Sequence, residues 1–205
     1  MRTLAALLLW FPAIASAQTS YEILVNGRHA GEATMSQRLL ASGGKYVEFI
    51  LTLRKGSDRV VVKSQITLTA TGAPEREIQQ VGPFGRPPER QVITTFDSKG
   101  AEVVEKVRSV PKSYKIVIDP GLSRADASQF WFLRDQPKSG AVCRAYRFNL
   151  DTKRWYLAET TYVGQEAGGF HVKQESEGRT TDTIFDAQGV PKKIDDSSGM
   201  QMVRD

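Results

Sequence analysis

The stretch Arg59–Ala70, which reads RVVVKSQITLTA, decides the fold class of this chain. Its apolar side chains recur with a period of two and fall on one face of an extended strand: Val60, Val62, Ile66 and Leu68. The opposite face carries polar side chains: Lys63, Gln65, Thr67 and Thr69. Period-two alternation with many β-branched residues is typical of a half-buried β-strand. The sequence therefore predicts a strand with one face on an apolar core.

Segments of the same kind occur along most of the chain. Predicted strands are Tyr21–Val25, Ala33–Leu39, Tyr46–Leu53, Arg90–Phe96, Glu102–Arg108, Tyr114–Ile118, Cys143–Leu150, Arg154–Val163, Phe170–Gln174, Thr180–Phe185 and Val190–Ile194. Turn dipeptides such as Asn26-Gly27 and Glu177-Gly178 separate them, and these connections are too short for crossover helices. A sheet of about ten or more strands rarely stays flat. We therefore expect a mainly β protein whose large antiparallel sheet curves into a half-barrel.

Two segments interrupt the strand pattern. The prolines of Gly82–Pro88 cannot donate ladder hydrogen bonds, so this segment is predicted to be a loop. Ser123–Arg134 is predicted to be a helix that Ser123 caps and Pro137 terminates. Its Phe-Trp-Phe-Leu run, residues 130–133, would gain roughly 6 to 12 kcal/mol from full burial. We expect this helix to pack on the concave side of the sheet.

Composition excludes several classes of protein. The 205 residues are 25% charged and 40% hydrophobic with a formal net charge of +5, which is unlike a disordered, collagen-like, coiled-coil or polytopic membrane chain. Lysine and arginine are scattered among acidic residues, so no nucleic-acid partner is expected. The single cysteine, Cys143, cannot form an internal disulfide. It is expected to be buried and inert, with pairing to another molecule as the alternative.

The amino terminus has the pattern of a secretory signal peptide. A short cationic start, Met1–Thr3, precedes an apolar run, Leu4–Ile14, and the small residues Ala15-Ser16-Ala17. A membrane-spanning helix needs roughly 20 apolar residues, which this run does not reach. We predict a signal peptide over residues 1–17, cleavage between Ala17 and Gln18, and one exported β-sheet domain over residues 18–205. The protein is then periplasmic or secreted and not an integral membrane protein.

Motifs for catalysis and for cofactors are missing from the sequence. His29, in a predicted hairpin turn, and His171, in a predicted strand, are the two histidines. Neither accompanies a nucleophile elbow of the Gly-x-Ser-x-Gly type. Two distant histidines with one cysteine do not match the ligand spacing of a zinc site, and no glycine-rich nucleotide loop is present. We therefore predict no catalytic residues, no metal and no cofactor.

A curved sheet under an aromatic helix suggests a binding role. Such a concave face can hold a hydrophobic or lipid-like ligand, or a lipidated partner. Phe130, Trp131 and Leu133 are the candidate ligand-binding residues. The alternatives are a helix that merely fills the groove, an envelope interaction or assembly protein that uses a sheet edge, and a secreted hydrolase of unknown substrate.

A family resemblance agrees with this interpretation. Asp119-Pro120 followed by the 130–134 run, the opening hairpin Tyr21–Gly27, and the closing segment Phe185–Ile194 are similar to exported bacterial proteins of the domain-of-unknown-function family 3108. Together with further short matches they cover most of the mature chain. The resemblance implies a periplasmic or secreted half-barrel like the lipoprotein-carrier (Lol-type) fold, with a helical lid across the concave side. It implies no enzymatic activity and carries over no catalytic residues.

Overall fold

The structure is a computed structural model that describes residues 17–97, 100–108, 110–117, 130–149 and 154–205. Within these ranges the chain forms strands and one short helix. They are β1 Ala17–Val25, β2 Arg28–Leu39, β3 Lys45–Lys55, β4 Asp58–Leu68, β5 Pro74–Pro83, β6 Arg90–Phe96, β7 Gly100–Val107, β8 Val110–Val117, α1 Trp131–Asp135, β9 Val142–Asn149, β10 Arg154–Glu166, β11 Gly169–Ser176, β12 Arg179–Phe185, β13 Pro191–Asp196 and β14 Met200–Arg204.

All described strands belong to one antiparallel sheet of 14 strands. Its order is β8-β7-β6-β5-β4-β3-β2-β1-β14-β13-β12-β11-β10-β9. Strands consecutive in sequence are adjacent in the sheet except β8 and β9, which stand at its two ends, and β1 additionally pairs with β14. Tight turns make this meander possible: Asn26 and Gly27 both have positive φ, 51° and 74°, as a two-residue hairpin turn requires. The predicted fold class is confirmed, and β8 and β9 end the sheet order.

A single hydrogen bond demonstrates how strongly the sheet curves. Lys45 Nζ, at the start of β3, donates to the carbonyl oxygen of Gln188, just before β13, at 3.3 Å. Four strand-to-strand steps separate β3 from β13, which is about 19 Å in a flat sheet. One lysine side chain cannot span that distance, so the sheet bends until its two halves approach across the concave face.

The concave face carries two apolar clusters. The central cluster is built on β1–β4 and on the region around β13 and β14, and its buried members are Tyr21, Ile23, Ala33, Met35, Val47, Leu68, Val190 and Met202. The helix cluster joins α1 to β10 and β11, and its buried members are Trp131, Phe132, Tyr162 and Val172. Phe130 packs against both clusters, so the helix segment connects the two parts of the core.

Three details of the strand prediction are corrected by the structure. The polar stretch Pro74–Pro83 forms β5, and its last two residues, Gly82 and Pro83, were expected in a loop. Met200–Arg204 forms β14, which the sequence did not indicate. His29 lies in β2 rather than in a turn, because β2 begins at Arg28 directly after the tight Asn26-Gly27 turn. In β5 the prolines occupy the strand ends, where a missing donor costs least.

Of the predicted helix Ser123–Arg134, the structure describes only residues 130–134, and the helix found there is α1, Trp131–Asp135. It begins at Trp131, because Phe130 has φ −121° and ψ 31°, outside the helical region. In one continuous helix the side chains 130–133 would spread over all sides, about 100° apart, and could not all be buried against one sheet. Gln136 ends the helix in a left-handed conformation, directly before Pro137. Ser123 and Asp119-Pro120 lie outside the described residues, as does the predicted signal peptide up to residue 16.

The register places the connections at two ends of the sheet. The helical end comprises residues 40–44, 69–73, 130–141, 167–168 and 186–190. The basic end, named for its exposed arginines, comprises residues 26–27, 56–57, 84–89, 177–178 and 197–199 together with Arg108. In the part of the chain that the structure describes, no helix is long and apolar enough to cross a lipid bilayer.

Candidate ligand-binding surface

Phe132 is the centre of the aromatic packing at the helical end. Only 1% of its surface is exposed, and its ring centroid lies 5.0 Å from that of Phe185 and 5.9 Å from that of Phe170. Phe170 and Phe185 face each other on β11 and β12, so they form one apolar platform. Phe132 was not among the candidate site residues, because an apolar run of four does not reveal which side chain points at the sheet.

Trp131 is buried but incompletely satisfied. It is 7% exposed, and its ring packs edge-on to Phe132 with centroids 6.5 Å apart. Its indole Nε1–H is fully buried and has no hydrogen-bond partner among the described residues. A buried donor without a partner costs about 1–3 kcal/mol. The helix cluster thus contains one unmatched donor within apolar surroundings.

Phe130 and Leu133 are half-buried; Phe130 packs against both clusters and Leu133 against the helix cluster. The ammonium of Lys45 lies 4.8 Å from the centroid of the Phe130 ring, a cation–π distance. Burial lowers the pKa of Lys45 below its usual range, although the carboxylate of Asp186 acts in the opposite direction. The three candidate residues therefore occur together at the helical end, with Trp131 the most buried.

Gly189 allows the helix segment to approach the β12–β13 turn. Its φ is +78°, and a Cβ at this position would lie 2.8 Å from Phe130 Cδ1 and 3.1 Å from Leu133 Cδ1. Any larger residue would meet both strain and a clash. The glycine thus lets Phe130 and Leu133 pack directly on the turn.

The same turn is held by Asp186 and Arg204. Asp186 Oδ1 accepts hydrogen bonds from the amides of Gln188 and Val190 at 3.0 and 2.8 Å, and its Oδ2 accepts from Arg204 Nη2 at 2.8 Å. Burial would raise the pKa of Asp186, but these hydrogen bonds outweigh it and hold the pKa below its usual range. The carboxylate therefore organises the turn that receives Phe130.

Tyr21 provides a further hydrogen bond next to the β12–β13 turn. Its hydroxyl donates to the carbonyl oxygen of Pro191 at 3.0 Å, and Arg204 also donates to that oxygen. Burial raises the pKa of Tyr21 to about 12 despite the nearby positive charge of Arg204. The phenol is consequently neutral at physiological pH and acts as a fixed donor below the helix segment.

The concave face changes character across the sheet. One row of directly paired residues runs from β2 to β8: Met35, Phe49, Ser64, Gln79, Val92, Glu105 and Lys112. Directly paired residues share a face, so this row is apolar at β2 and β3 and mostly polar from β4 to β8, although the neighbouring Val103 and Ala101 of β7 are apolar and buried on the same face. Glu105 is only 3% exposed and accepts a hydrogen bond from Arg90 Nε at 2.9 Å. The face can therefore accept both an apolar and a polar part of a molecule.

The two histidines lie apart from this surface. His29 is exposed on β2. His171 Nδ1 lies 2.9 Å from Glu166 Oε2, and His171 Nε2 lies 2.9 Å from Asp182 Oδ1, so both ring nitrogens are occupied by carboxylates. Cys143 is half-buried against the helix cluster, which leaves both of its predicted roles open. Within the described ranges, no group of three or more His, Cys, Asp or Glu side chains is arranged to hold a metal ion.

Comparison with solved structures supports the fold. A β-barrel-like protein of the domain of unknown function DUF1849 from Brucella abortus is similar with a TM-score of 0.62 at 11% sequence identity, over 94% of this chain and 96% of that chain. A DUF1089 family protein from Pseudomonas aeruginosa has a TM-score of 0.43 at 12% identity, over 94% of each chain. The second TM-score is too low to carry an argument, and at 11% identity the first likeness concerns the fold alone.

Comparison at the level of sequence gives no family. No family model matches this chain, and no curated protein matches it. The chain thus has a β-barrel-like fold similar to that of a protein of unknown function.

Proposed function

We propose that this chain is an exported, non-enzymatic protein that binds a hydrophobic or lipid-like ligand, or a lipidated partner, on the concave face beside Phe130, Trp131 and Leu133. Export would follow cleavage between Ala17 and Gln18. Membership of the domain-of-unknown-function family 3108, and kinship with Lol-type carriers, are parts of the same proposal. They rest on the sequence resemblance and on the curved sheet with its short helix.

The unmatched indole donor of Trp131 is the observation that carries this proposal. Ligand sites for apolar molecules are mostly hydrophobic and contain a few well-placed polar groups. The helix cluster has this composition: aromatic and aliphatic side chains surround one buried N–H without an acceptor. A ligand oxygen, such as that of a carboxyl or ester group, would satisfy the donor while its chain contacts Phe130 and Leu133.

Replacement of Trp131 by phenylalanine tests this assignment. Trp131→Phe keeps an aromatic ring but removes the donor, so we expect fatty-acid affinity to fall about tenfold while the free energy of unfolding stays within about 1 kcal/mol. Titration with a fluorescent fatty acid measures the first quantity, and urea unfolding measures the second. Leu157→Ala is the control. Leu157 is 44% exposed and lies on the face of β10 opposite to that of its neighbour Ala158, which is buried.

The outcomes separate the site from the function. If Trp131→Phe binds the fatty acid as well as the unchanged chain does, the indole is not the anchor. If the unchanged chain binds no fatty acid and mass spectrometry finds no lipid in the purified protein, the ligand-binding function itself is rejected.

A sheet edge favours one second candidate, an envelope interaction or assembly role without a small ligand. β8 and β9 end the sheet order, and Val110 on β8 and Val142 on β9 are 63% and 46% exposed. Exposed edge strands can pair with a strand of a partner. Recovery of one specific protein partner by cross-linking through these strands, from lipid-free protein, would support this role over the first.

The hydrolase alternative has less support. Both ring nitrogens of His171 contact carboxylate oxygens at hydrogen-bond distance, so neither is placed to accept a proton from a substrate. We expect His29→Ala and His171→Ala to leave every assayed hydrolytic activity unchanged. Loss of an activity in either variant would restore the enzyme hypothesis.

A further inference from the structure

The basic end exposes three apolar side chains. Phe84 is 58% exposed, Val107 is 46% exposed and Val110 is 63% exposed. Phe84 follows β5, and Val107 pairs with Val110 across the β7–β8 turn. In the sheet β7 and β8 are adjacent, and only β6 lies between β5 and β7. The three side chains therefore occupy one continuous margin of the sheet.

Backbone hydrogen bonds hold this margin together. The amide of Glu89 donates to the carbonyl oxygen of Val81, and the amide of Arg108 donates to that of Glu89, both at 2.9 Å. The amide of Phe84 donates to the carbonyl oxygen of Arg59, also at 2.9 Å. The first residues of β4, the β5–β6 loop and the β7–β8 turn are thus linked in series. The exposed apolar side chains are presented on an ordered framework.

Exposed arginines accompany the apolar side chains. Arg54, Arg59, Arg86 and Arg108 are all exposed, and within the described ranges none of them is in an ion pair. The Arg59 guanidinium lies 5.7 Å from the centroid of the Phe84 ring. Asp58, Glu89 and Glu177 are exposed acidic residues at the same end, fewer than these four arginines, so cations predominate.

We propose that the basic rim, defined as Phe84, Val107, Val110 and the arginines 59, 86 and 108, docks this protein on an anionic lipid surface. Apolar side chains that enter the headgroup boundary, together with basic side chains that attract anionic lipids, are the two contributions that hold proteins at membrane surfaces. An apolar patch that a soluble protein leaves exposed is frequently an interaction site. The positive charge around this patch selects an anionic partner.

Vesicle sedimentation with the full chain tests the proposal. Vesicles of phosphatidylglycerol and phosphatidylcholine in equal parts are compared with vesicles of phosphatidylcholine alone. We expect binding to the anionic vesicles that is at least tenfold stronger and that weakens as salt is raised. Arg86→Glu with Arg108→Glu should reduce that binding at least tenfold, and Phe84→Ser should reduce it about threefold.

Matched controls at other positions keep the result interpretable. Arg76→Glu with Lys138→Glu makes the same change in net charge at two exposed residues outside the basic end. Leu39→Ser removes an apolar side chain that is 62% exposed at the helical end. Residues 1–17 are present in every variant, so their contribution to vesicle binding cancels.

The proposal is supported if the rim variants lose binding and the control variants keep it. It is overturned if the control variants lose as much as the rim variants, because binding would then follow net charge alone. It is also overturned if the chain does not bind anionic vesicles. A third contrary result is that the rim variants lose binding to an acidic polypeptide such as polyglutamate but keep binding to anionic vesicles. A far-ultraviolet circular dichroism spectrum for each variant excludes misfolding as the cause of a loss.

Discussion

The two ends of the sheet bury their apolar side chains to different extents. At the helical end Phe132 and Val190 are 1% and 7% exposed, although Leu39 stays 62% exposed, whereas at the basic end Phe84 and Val110 are 58% and 63% exposed. Two-residue turns occur at both ends and are too short to cover anything. At the helical end the connection between β8 and β9 is long enough to bring residues 130–135 back onto the concave face.

The contrast teaches that loop length and loop composition decide which end is closed. The β5–β6 loop at the basic end spans six residues, 84–89, including two prolines and a glycine. Its backbone bonds back to Val81 and Arg59, so its one aromatic side chain remains outside. We therefore expect the helical end to stabilise the fold and the basic end to be nearly neutral in stability.

The largest expected difference comes from truncating one phenylalanine at each end. Phe132→Ala should lower the free energy of unfolding by about 3–5 kcal/mol, because it leaves a cavity among Phe170, Phe185 and Trp131. Phe84→Ala should change it by less than about 0.5 kcal/mol, since Phe84 is mostly in solvent. Urea denaturation of both variants measures the two values. Equal effects at the two positions would contradict the contrast.

A smaller difference is expected between two turn glycines. Gly189 at the helical end and Gly178 at the basic end have nearly the same φ, +78° and +76°. Replacement by alanine should cost about 1–2 kcal/mol at Gly178, where only backbone strain arises. Gly189→Ala should cost at least about 1 kcal/mol more, because its Cβ also meets the Phe130 ring. Thermal unfolding of the two variants distinguishes strain from contact, and identical losses would argue against close packing at Gly189.

The smallest expected difference concerns two turn aspartates. Asp186 accepts from two turn amides and from Arg204, whereas Asp196 at the basic end accepts from the Ser198 amide and the Thr181 hydroxyl. Asp186→Asn should cost about 1–2 kcal/mol at pH 7, and Asp196→Asn should cost less, since it removes no bond to a charged donor.

The pH dependence provides the check on that pair. The pKa of each carboxyl is held below its ordinary value of 3.8 in the folded state: at Asp186 hydrogen bonds outweigh burial, and at Asp196 the hydrogen bonds from Ser198 are the main cause. A lowered folded-state pKa adds stability that is complete above 3.8 and is lost as the pH falls through the folded-state value. Urea unfolding as a function of pH should therefore find the variants converging with the unchanged chain near pH 2. A persistent deficit of Asp186→Asn at that pH would mean that its charge is not the cause.

Most strands could be predicted because their two faces differ in polarity. The stretch Arg59–Ala70 is the clearest case, and β4 runs from Asp58 to Leu68. β5 could not be predicted in the same way, because Glu77 and Gln79, which share a face with Ile66 and Ser64 of β4, are themselves polar. An alternation of apolar and polar residues disappears where the inner face is itself polar. The short β14 lacks enough residues to establish any period.

The candidate site could be predicted only as a segment. Four consecutive apolar residues, 130–133, had to be buried somewhere, and the sequence placed them beside the sheet. Which of them became core depended on partners far away in the chain, namely Phe170, Phe185 and Gly189. The unpaired indole donor of Trp131 likewise depends on the absence of an acceptor in the three-dimensional surroundings that the structure describes.

By itself the sequence determined that this chain forms an antiparallel meander of strands joined by tight turns, because alternation and positive-φ residues act over a few neighbouring positions. Only the tertiary structure decided that β1 pairs with β14, that Lys45 reaches Gln188 across the concave face, and that one end is closed while the other exposes arginines and apolar side chains. The first two of these features join residues more than a hundred positions apart. Their positions follow from the accumulated curvature of 14 strands, which no local pattern encodes.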